Sequence, residues 1–307
     1  RESDGALCLF LEGFTTRDGE PLPIIVRKSD GGYNYATSDL ATITHRVEEL
    51  GATRILYVVG LPQKQHFEMV FAAARKLGFA GDHVSLEHLG FGSVLSKSGV
   101  MFKTREGGTF KLKALLDEAV ARALTVICEQ DRGADGGFAE EEAAKTAEVV
   151  GIGAVKYFDL AHARQSDYKF DLDHMLAMEG NTAPYMMYAY ARIRSIARKA
   201  GVEMKAIATG EPILVDHPAE IALAVKLVQL PETLHGIARE LRPNVLTEYL
   251  YDLARAFSRF YDKKNGVRVI DATPENVRNS RLRLCDLTAR TLKLGLGLLG
   301  IETVERM

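Results

Sequence analysis

Ile55-Leu56-Tyr57-Val58-Val59 runs directly into Gly60-Leu61-Pro62-Gln63-Lys64-Gln65-His66-Phe67, and this junction decides the fold. Five apolar residues in a row, three of them β-branched, predict a strand buried on both faces. Glycine and proline close it, and from about Gln63 to Leu77 the residues Phe67, Val70, Phe71 and Ala74 fall at helical spacing. Upstream, Leu7 to Phe14 and Leu22 to Val26 are short apolar runs bounded by Gly, Asp and Pro, as strands are. Thr37-Ser38-Asp39 offers a cap for a helix reaching about Leu50, with Leu40, Ile43 and Val47 on one face. Val84 to His88 reads as another strand. Strand, helix, strand, helix, strand is the pattern of a parallel α/β sheet.

Beyond Lys111 the period changes to that of helices. Leu112, Leu115, Leu116, Ala119 and Ala123 make one face, ending before the turn Gly133 to Gly137. Helices are expected over Glu140 to Asp159, Tyr185 to Ala200, Ala219 to Gln229, Asn244 to Tyr261 and Glu275 to Leu299. Leu246, Leu250, Leu253, Phe257 and Phe260 step by four and three, as a buried stripe does. Gly201 to Pro218 is punctuated by Gly and Pro and reads as a linker. The expectation is an α/β domain followed by an all-α one.

The composition, 47% hydrophobic and 26% charged, is that of an ordinary globular protein, and 307 residues suffice for roughly two domains. A net charge of -2 gives no global attraction to polyanions, so any such surface is local. Cys8, Cys128 and Cys285 form no CxxC or Cys/His cluster, which suits a reduced cytosolic compartment and argues against both a disulfide framework and a zinc site. No apolar run reaches the roughly 20 residues of a bilayer span. Arg1-Glu2-Ser3-Asp4 opens without methionine and Val304 to Met307 reads as an end, so the expectation is a fragment cut on its N-terminal side.

Generic phosphate signatures fail: there is no GxxxxGK[ST], and after Gly90-Phe91-Gly92 the last glycine of GxGxxG is Leu95. A Walker ATPase and a dinucleotide-binding dehydrogenase both lose ground. Three other segments carry chemistry. Ser29 to Ala41 holds a glycine pair, two tyrosines and Asp39 at a strand-to-helix junction, where a carboxylate can accept a bidentate guanidinium. The bland reading has Asp39 capping its helix and Tyr35 filling the core. In Gly60 to Phe67, at the carboxyl end of a strand, Gln63 can donate and accept at an amino-acid head group and His66 can stack on or bond a nucleotide; a lone histidine is more often a satisfied structural residue. His88 to Gly108 places Lys97, Lys103 and Arg105 in a glycine-flanked loop able to close over a triphosphate, or simply to be a solvated turn. In the helical part, Arg192, Arg194, Arg198, Arg278, Arg281 and Arg290 interleave with Tyr185, Tyr188, Tyr190, Tyr249 and Tyr251, which suits unpaired RNA bases. Tyr188, Arg192, Tyr249, Arg281 and the Met307 end are the expected contacts; the alternative is a solvated helix face with core tyrosines.

Taken together, these segments, with Val150 to Tyr157, Glu179 to Arg192, Arg278 to Leu282 and Val304 to Met307, resemble the arginyl-tRNA synthetases of class I. The resemblance covers essentially the whole chain. It implies the second half of a Rossmann-like catalytic domain over 1–130, a helical connecting region over 131–180 and a helical anticodon-binding domain over 181–307. It implies that Tyr35, Asp39 and Gln63 bind arginine, that the backbone at Phe91, Gly92 and Val94 reads adenine, and that the Lys97 to Arg105 loop stands in for KMSKS, from which it departs. The implied substrates are ATP, accompanied by Mg2+, L-arginine and tRNA(Arg), in a cytoplasmic protein that is a monomer when whole. The HIGH signature is absent from these residues, so the 307 residues alone are expected not to activate arginine. The alternative is a non-catalytic tRNA-binding module from a truncated paralogue.

Overall fold

The structure, a computed structural model, describes residues 1–100, 111–131, 137–202, 212–265 and 267–307. Two compact units are present: Arg1–Ser93 with Gln165–Asp167, and Val94–Arg164 with Tyr168–Met307. The packing boundary thus falls earlier than residue 130, because Val94–Leu95 (β6) pairs in parallel with Tyr168–Lys169 (β7) and belongs with the helices.

In the first unit, β1 (Glu2–Ser3), β2 (Ala6–Thr15) and β3 (Pro21–Arg27) form an antiparallel sheet in that order. The strand expected at Leu22 to Val26 is therefore not in the parallel sheet. The turn between β2 and β3, closed by the Thr16 amide on the Glu20 carbonyl (2.8 Å), is too short for the crossover that parallel pairing needs. Gly19, at φ +84°, takes the left-handed position of that turn. Next come α1 (Tyr35–Glu48), β4 (Arg54–Gly60), α2 (Lys64–Lys76) and β5 (Ser85–Phe91). β4 and β5 are parallel and fully in register from Arg54↔Ser85 to Gly60↔Phe91. The α/β class holds. The core joins Leu40 and Ile43 of α1, Ile55 and Tyr57 of β4, and Phe67, Val70, Ala73 and Ala74 of α2. β4 does not meet the expectation of two buried faces: Ile55 and Tyr57 point into the core, whereas Leu56 is exposed and Val58 is 63% exposed. The helices cover one face only.

The second unit holds β6 and β7 with α3 (Leu112–Asp131), α4 (Glu140–Ala161), α5 (Leu172–Met175), α6 (Ala183–Ala200), α7 (Pro218–Val228), α8 (Leu230–Glu240), α9 (Pro243–Phe260) and α10 (Glu275–Leu298). The all-α expectation holds for its bulk, and the stripe Leu246, Leu250, Leu253, Phe257 and Phe260 is buried throughout. Helix α8 lies between two helices expected from periodicity and was not itself expected. Pro231 sits in its first turn, where the missing N–H costs no helical bond. Helix α6 starts at Thr182, whose hydroxyl accepts the Tyr185 amide, and stops at Gly201 in the left-handed conformation. Of the linker expected from Gly201 to Pro218, residues 203–211 lie outside the described ones; Leu214 is anchored to α10 by donating to and accepting from the Ser280 hydroxyl (2.7 and 3.0 Å). Among the described residues no helix is long and apolar enough to cross a membrane.

Candidate active site and nucleic-acid face

Asp39 does not cap α1. Asn34 takes the cap position, so Tyr35 opens the helix and Asp39 lies one turn further along the same face. Tyr35 is 87% exposed, which removes the reading of it as a core residue. The half-buried carboxylate of Asp39 accepts a hydrogen bond from His66 Nε2 at 2.7 Å. His66 is the third residue of α2, and Gln63 is the cap residue of that same helix, exposed to solvent. Asp39, Gln63 and His66 are therefore brought to one corner, where the first turns of α1 and α2 meet. Phe91 closes the carboxyl end of β5 directly beside Gly60, so the strand edge from which Gln63 follows also carries an exposed aromatic ring. This is the edge at which open α/β sheets bind ligands. Gly92 is required there: a Cβ would collide with the Ser166 carbonyl. The neighbouring Ser93 amide donates to Asp167 at 2.6 Å.

His66, expected at a nucleotide, is thus placed on Asp39. Its ring meets Phe67 edge-on (5.2 Å, 81°), and Phe67 stacks on His88 (5.2 Å, 16°), whose Nε2 lies 3.0 Å from the Val59 carbonyl. This chain of contacts is not visible in local spacing, because its members come from two helices and two strands.

In the second unit Val94 is half-buried in β6. Lys97 contacts Asp171 (3.2 Å) and Asp173 (3.0 Å), whose hydrogen bonds raise the ammonium pKa above its ordinary value. Arg122 joins the cluster by donating to Asp173 at 2.7 Å. Lys103 and Arg105 lie outside the described residues. Among the described residues no group of three or more His, Cys, Asp or Glu side chains is placed so as to hold a metal ion.

The expected RNA contacts separate sharply. Tyr188 and Arg192 are exposed on α6, one turn apart, and the Arg192 guanidinium lies 5.1 Å over the Tyr261 ring. Tyr185 meets Tyr251 of α9 edge-on at 5.9 Å, and Arg255 lies over Tyr251 at 5.5 Å. This arginine and tyrosine strip includes Arg255 and Tyr261, which sequence reading did not single out; the four-residue step from Tyr251 to Arg255 was the available signal. Tyr249 is different: 6% exposed, it donates to the Lys226 carbonyl at 2.8 Å, and burial pushes its phenol up to about 12. Arg281 is committed as well, donating to Glu220 (2.6 Å) and to the Arg268 carbonyl (2.8 Å). Met307 packs half-buried against the helical core. The polar groups of Tyr249 and Arg281 are thus already paired inside the protein.

Residues 1–172 match the family described as tRNA synthetases class I (R), catalytic domain, and residues 186–307 match the DALR anticodon binding domain. The chain belongs to that class I (R) family. Its curated relatives include proteins named arginine–tRNA ligase from Nostoc sp. and Proteus mirabilis, each 50% identical over 306 residues. These alignments cover 100% of this chain and 52% of each relative, so the chain spans about half their length. The solved arginyl-tRNA synthetase of Thermus thermophilus is 27% identical with a TM-score of 0.82, covering 100% of this chain and 55% of that one. That of Plasmodium falciparum is 30% identical with a TM-score of 0.79, at 100% and 50% coverage.

Proposed function

We propose that this chain supplies the arginine-selecting corner and the anticodon-binding helices of an arginine–tRNA ligase. The observation that carries the reading is the Asp39 carboxylate, held on a rigid helix and open to solvent beside the exposed Tyr35 and Gln63. A planar, permanently charged guanidinium is the group such a fixed acceptor suits, through paired charge-assisted hydrogen bonds. In the reaction, an arginine carboxylate oxygen attacks the α-phosphorus of ATP, a P–O bond to pyrophosphate breaks, and arginyl-adenylate forms. A terminal ribose hydroxyl of tRNA(Arg) then attacks the arginyl carbonyl and AMP departs. The contribution proposed for these residues is positioning of arginine, with Phe91 and the Gly92 backbone facing adenine; Lys97, Lys103 and Arg105 are the cations proposed to counter the charge on pyrophosphate. Mg2+ enters as the counter-ion of ATP. Tyr188 and Arg192 are the proposed anticodon contacts, and the half-buried Met307 is a lesser one. A monomeric, cytoplasmic protein completes the reading, as does inactivity of the 307 residues by themselves.

In the whole-length protein, Asp39→Asn is expected to raise the KM for arginine about 10- to 100-fold, the range of a lost charge-assisted pair, with the KM for ATP nearly unchanged. Arginine-dependent pyrophosphate exchange measures both. Equal losses for the two substrates would reject the assignment.

A further inference from the structure

We propose that His66 is a positioning residue for arginine selection, acting by fixing the orientation of the Asp39 carboxylate; the inference rests on the reading of Asp39 given above. A carboxylate accepts only, so the 2.7 Å contact requires the proton to be on Nε2, donated to Oδ2. An aspartate with both oxygens in water turns freely about its last bond, whereas a bidentate guanidinium requires one plane of the two oxygens. The imidazole sets that plane. It occupies one lone pair of Oδ2 and leaves Oδ1 and the outer side of Oδ2 for a ligand.

The imidazole is itself held at each level. His66 lies in the first turn of α2, next to Phe67, which is buried between Tyr57 (4.9 Å) and Phe71 (5.8 Å). The Phe67 ring meets the imidazole edge-on and stacks on His88 on its own other flank, and His88 is tied to the Val59 backbone. Asp39 is carried by α1, whose Leu40 and Ile43 are buried in the same core. The plane of the carboxylate is thus referred to β4 through packed rings instead of through a loop, the arrangement that keeps a binding group within a fraction of an ångström. Both side chains remain about one-third exposed, so the corner is open to a ligand.

A mere staple between α1 and α2 would use the same bond, and the test separates the two roles. Pyrophosphate exchange and thermal melting are measured on the whole-length protein with His66→Phe, His66→Gln, Asp39→Asn and the double variant Asp39→Asn/His66→Phe. His66→Phe is expected to raise the arginine KM about ten-fold with the ATP KM within about two-fold, and His66→Gln, whose amide can place an N–H donor where Nε2 stands, to stay within about three-fold of the parent. Added to Asp39→Asn, His66→Phe is expected to change the arginine KM no further, since it acts through that carboxylate. A lowered melting temperature with no selective effect on arginine overturns the proposal, as does His66→Gln matching His66→Phe or full additivity in the double variant. If Asp39→Asn raises the arginine KM and His66→Phe does not, the inference alone fails. If Asp39→Asn itself leaves that KM unchanged, the assignment of Asp39 fails and the inference falls with it.

Discussion

The helical unit closes its core around α9, whose Leu250, Leu253, Phe257 and Phe260 are all fully buried, while the α/β unit covers one face of β4 and leaves Leu56 and Val58 open. The two regions look alike in composition, since each is built on runs of branched and aromatic residues. They differ in what lies against those runs. Apolar burial contributes roughly 25 cal/mol per Å² only where surface is removed from water, so stability should concentrate in the helices. Phe257→Ala is expected to cost about 3–5 kcal/mol by leaving a cavity in a fully packed site. Val58→Thr, at an open position, should stay within about 0.5 kcal/mol. Urea unfolding followed by far-ultraviolet circular dichroism compares them. A Val58→Thr loss as large as that of Phe257→Ala would show that the open face is covered in solution, and would break the contrast.

The contrast extends to charge. Glu220, 4% exposed at its side chain, accepts from the backbone amides of Asp216 and His217 (3.0 Å each) and from Arg281 (2.6 Å). Burial works against its charged form, but the His217 amide, Arg281 and the Asp216 amide together outweigh it and hold the pKa below the ordinary 4.5. A carboxylate depressed on folding adds stability that is complete above its unfolded value and is lost as pH falls through the folded one. Glu220→Gln should therefore cost the helical unit about 3 kcal/mol at neutral pH, the scale of breaking a buried pair. The gap to the parent protein should narrow as pH falls below 4.5. Denaturant midpoints from pH 7 to pH 3 test this, and a gap independent of pH would mean that folding leaves the Glu220 pKa unshifted. The Asp39–His66 pair of the other unit is more open, so water screens it and its loss should matter to ligand more than to fold.

Sequence periodicity located nearly every long helix and the strand β4, because a helix or strand shows its inner face in its own spacing. It misjudged β3, since a single apolar run is compatible with either direction of pairing, and the tight turn at Gly19 was the deciding detail. It does not locate α8, although Pro231 is compatible with a helix because the first turn accepts it. At the candidate site, Asp39 and Gln63 were legible as chemistry at helix starts. The hydrogen bond from His66 was not, for it joins residues 27 apart and depends on the packing of α1 against α2. Where the polar ends of Arg281 and Tyr249 point is not legible either, because arginine and tyrosine carry no mark of their partners; Glu220 lies 61 residues from Arg281.

The tyrosines of the helical unit give the smallest and most discriminating comparison, because Tyr188 and Tyr249 are the same side chain in opposite settings. Tyr188 stands exposed on α6 one turn from Arg192, and among the described residues its hydroxyl has no partner to abandon on meeting a base. Removing a stacking platform costs about 1–3 kcal/mol per base, so Tyr188→Ala should weaken tRNA binding about ten-fold and leave the melting temperature nearly unchanged. Tyr249→Phe removes only the buried hydroxyl that donates to the Lys226 carbonyl. It should destabilise the fold by about 1 kcal/mol and leave tRNA affinity within about two-fold. Filter binding at two salt concentrations, paired with thermal melting, reads both effects. Because stacking is uncharged, the Tyr188→Ala loss should be the same at either salt, whereas Arg192→Ala should flatten the salt dependence by removing a phosphate partner. A Tyr249→Phe protein that melts normally yet binds tRNA weakly would reverse the assignment of the two residues, and would place the nucleic-acid face on α9 beside α7 instead of along α6.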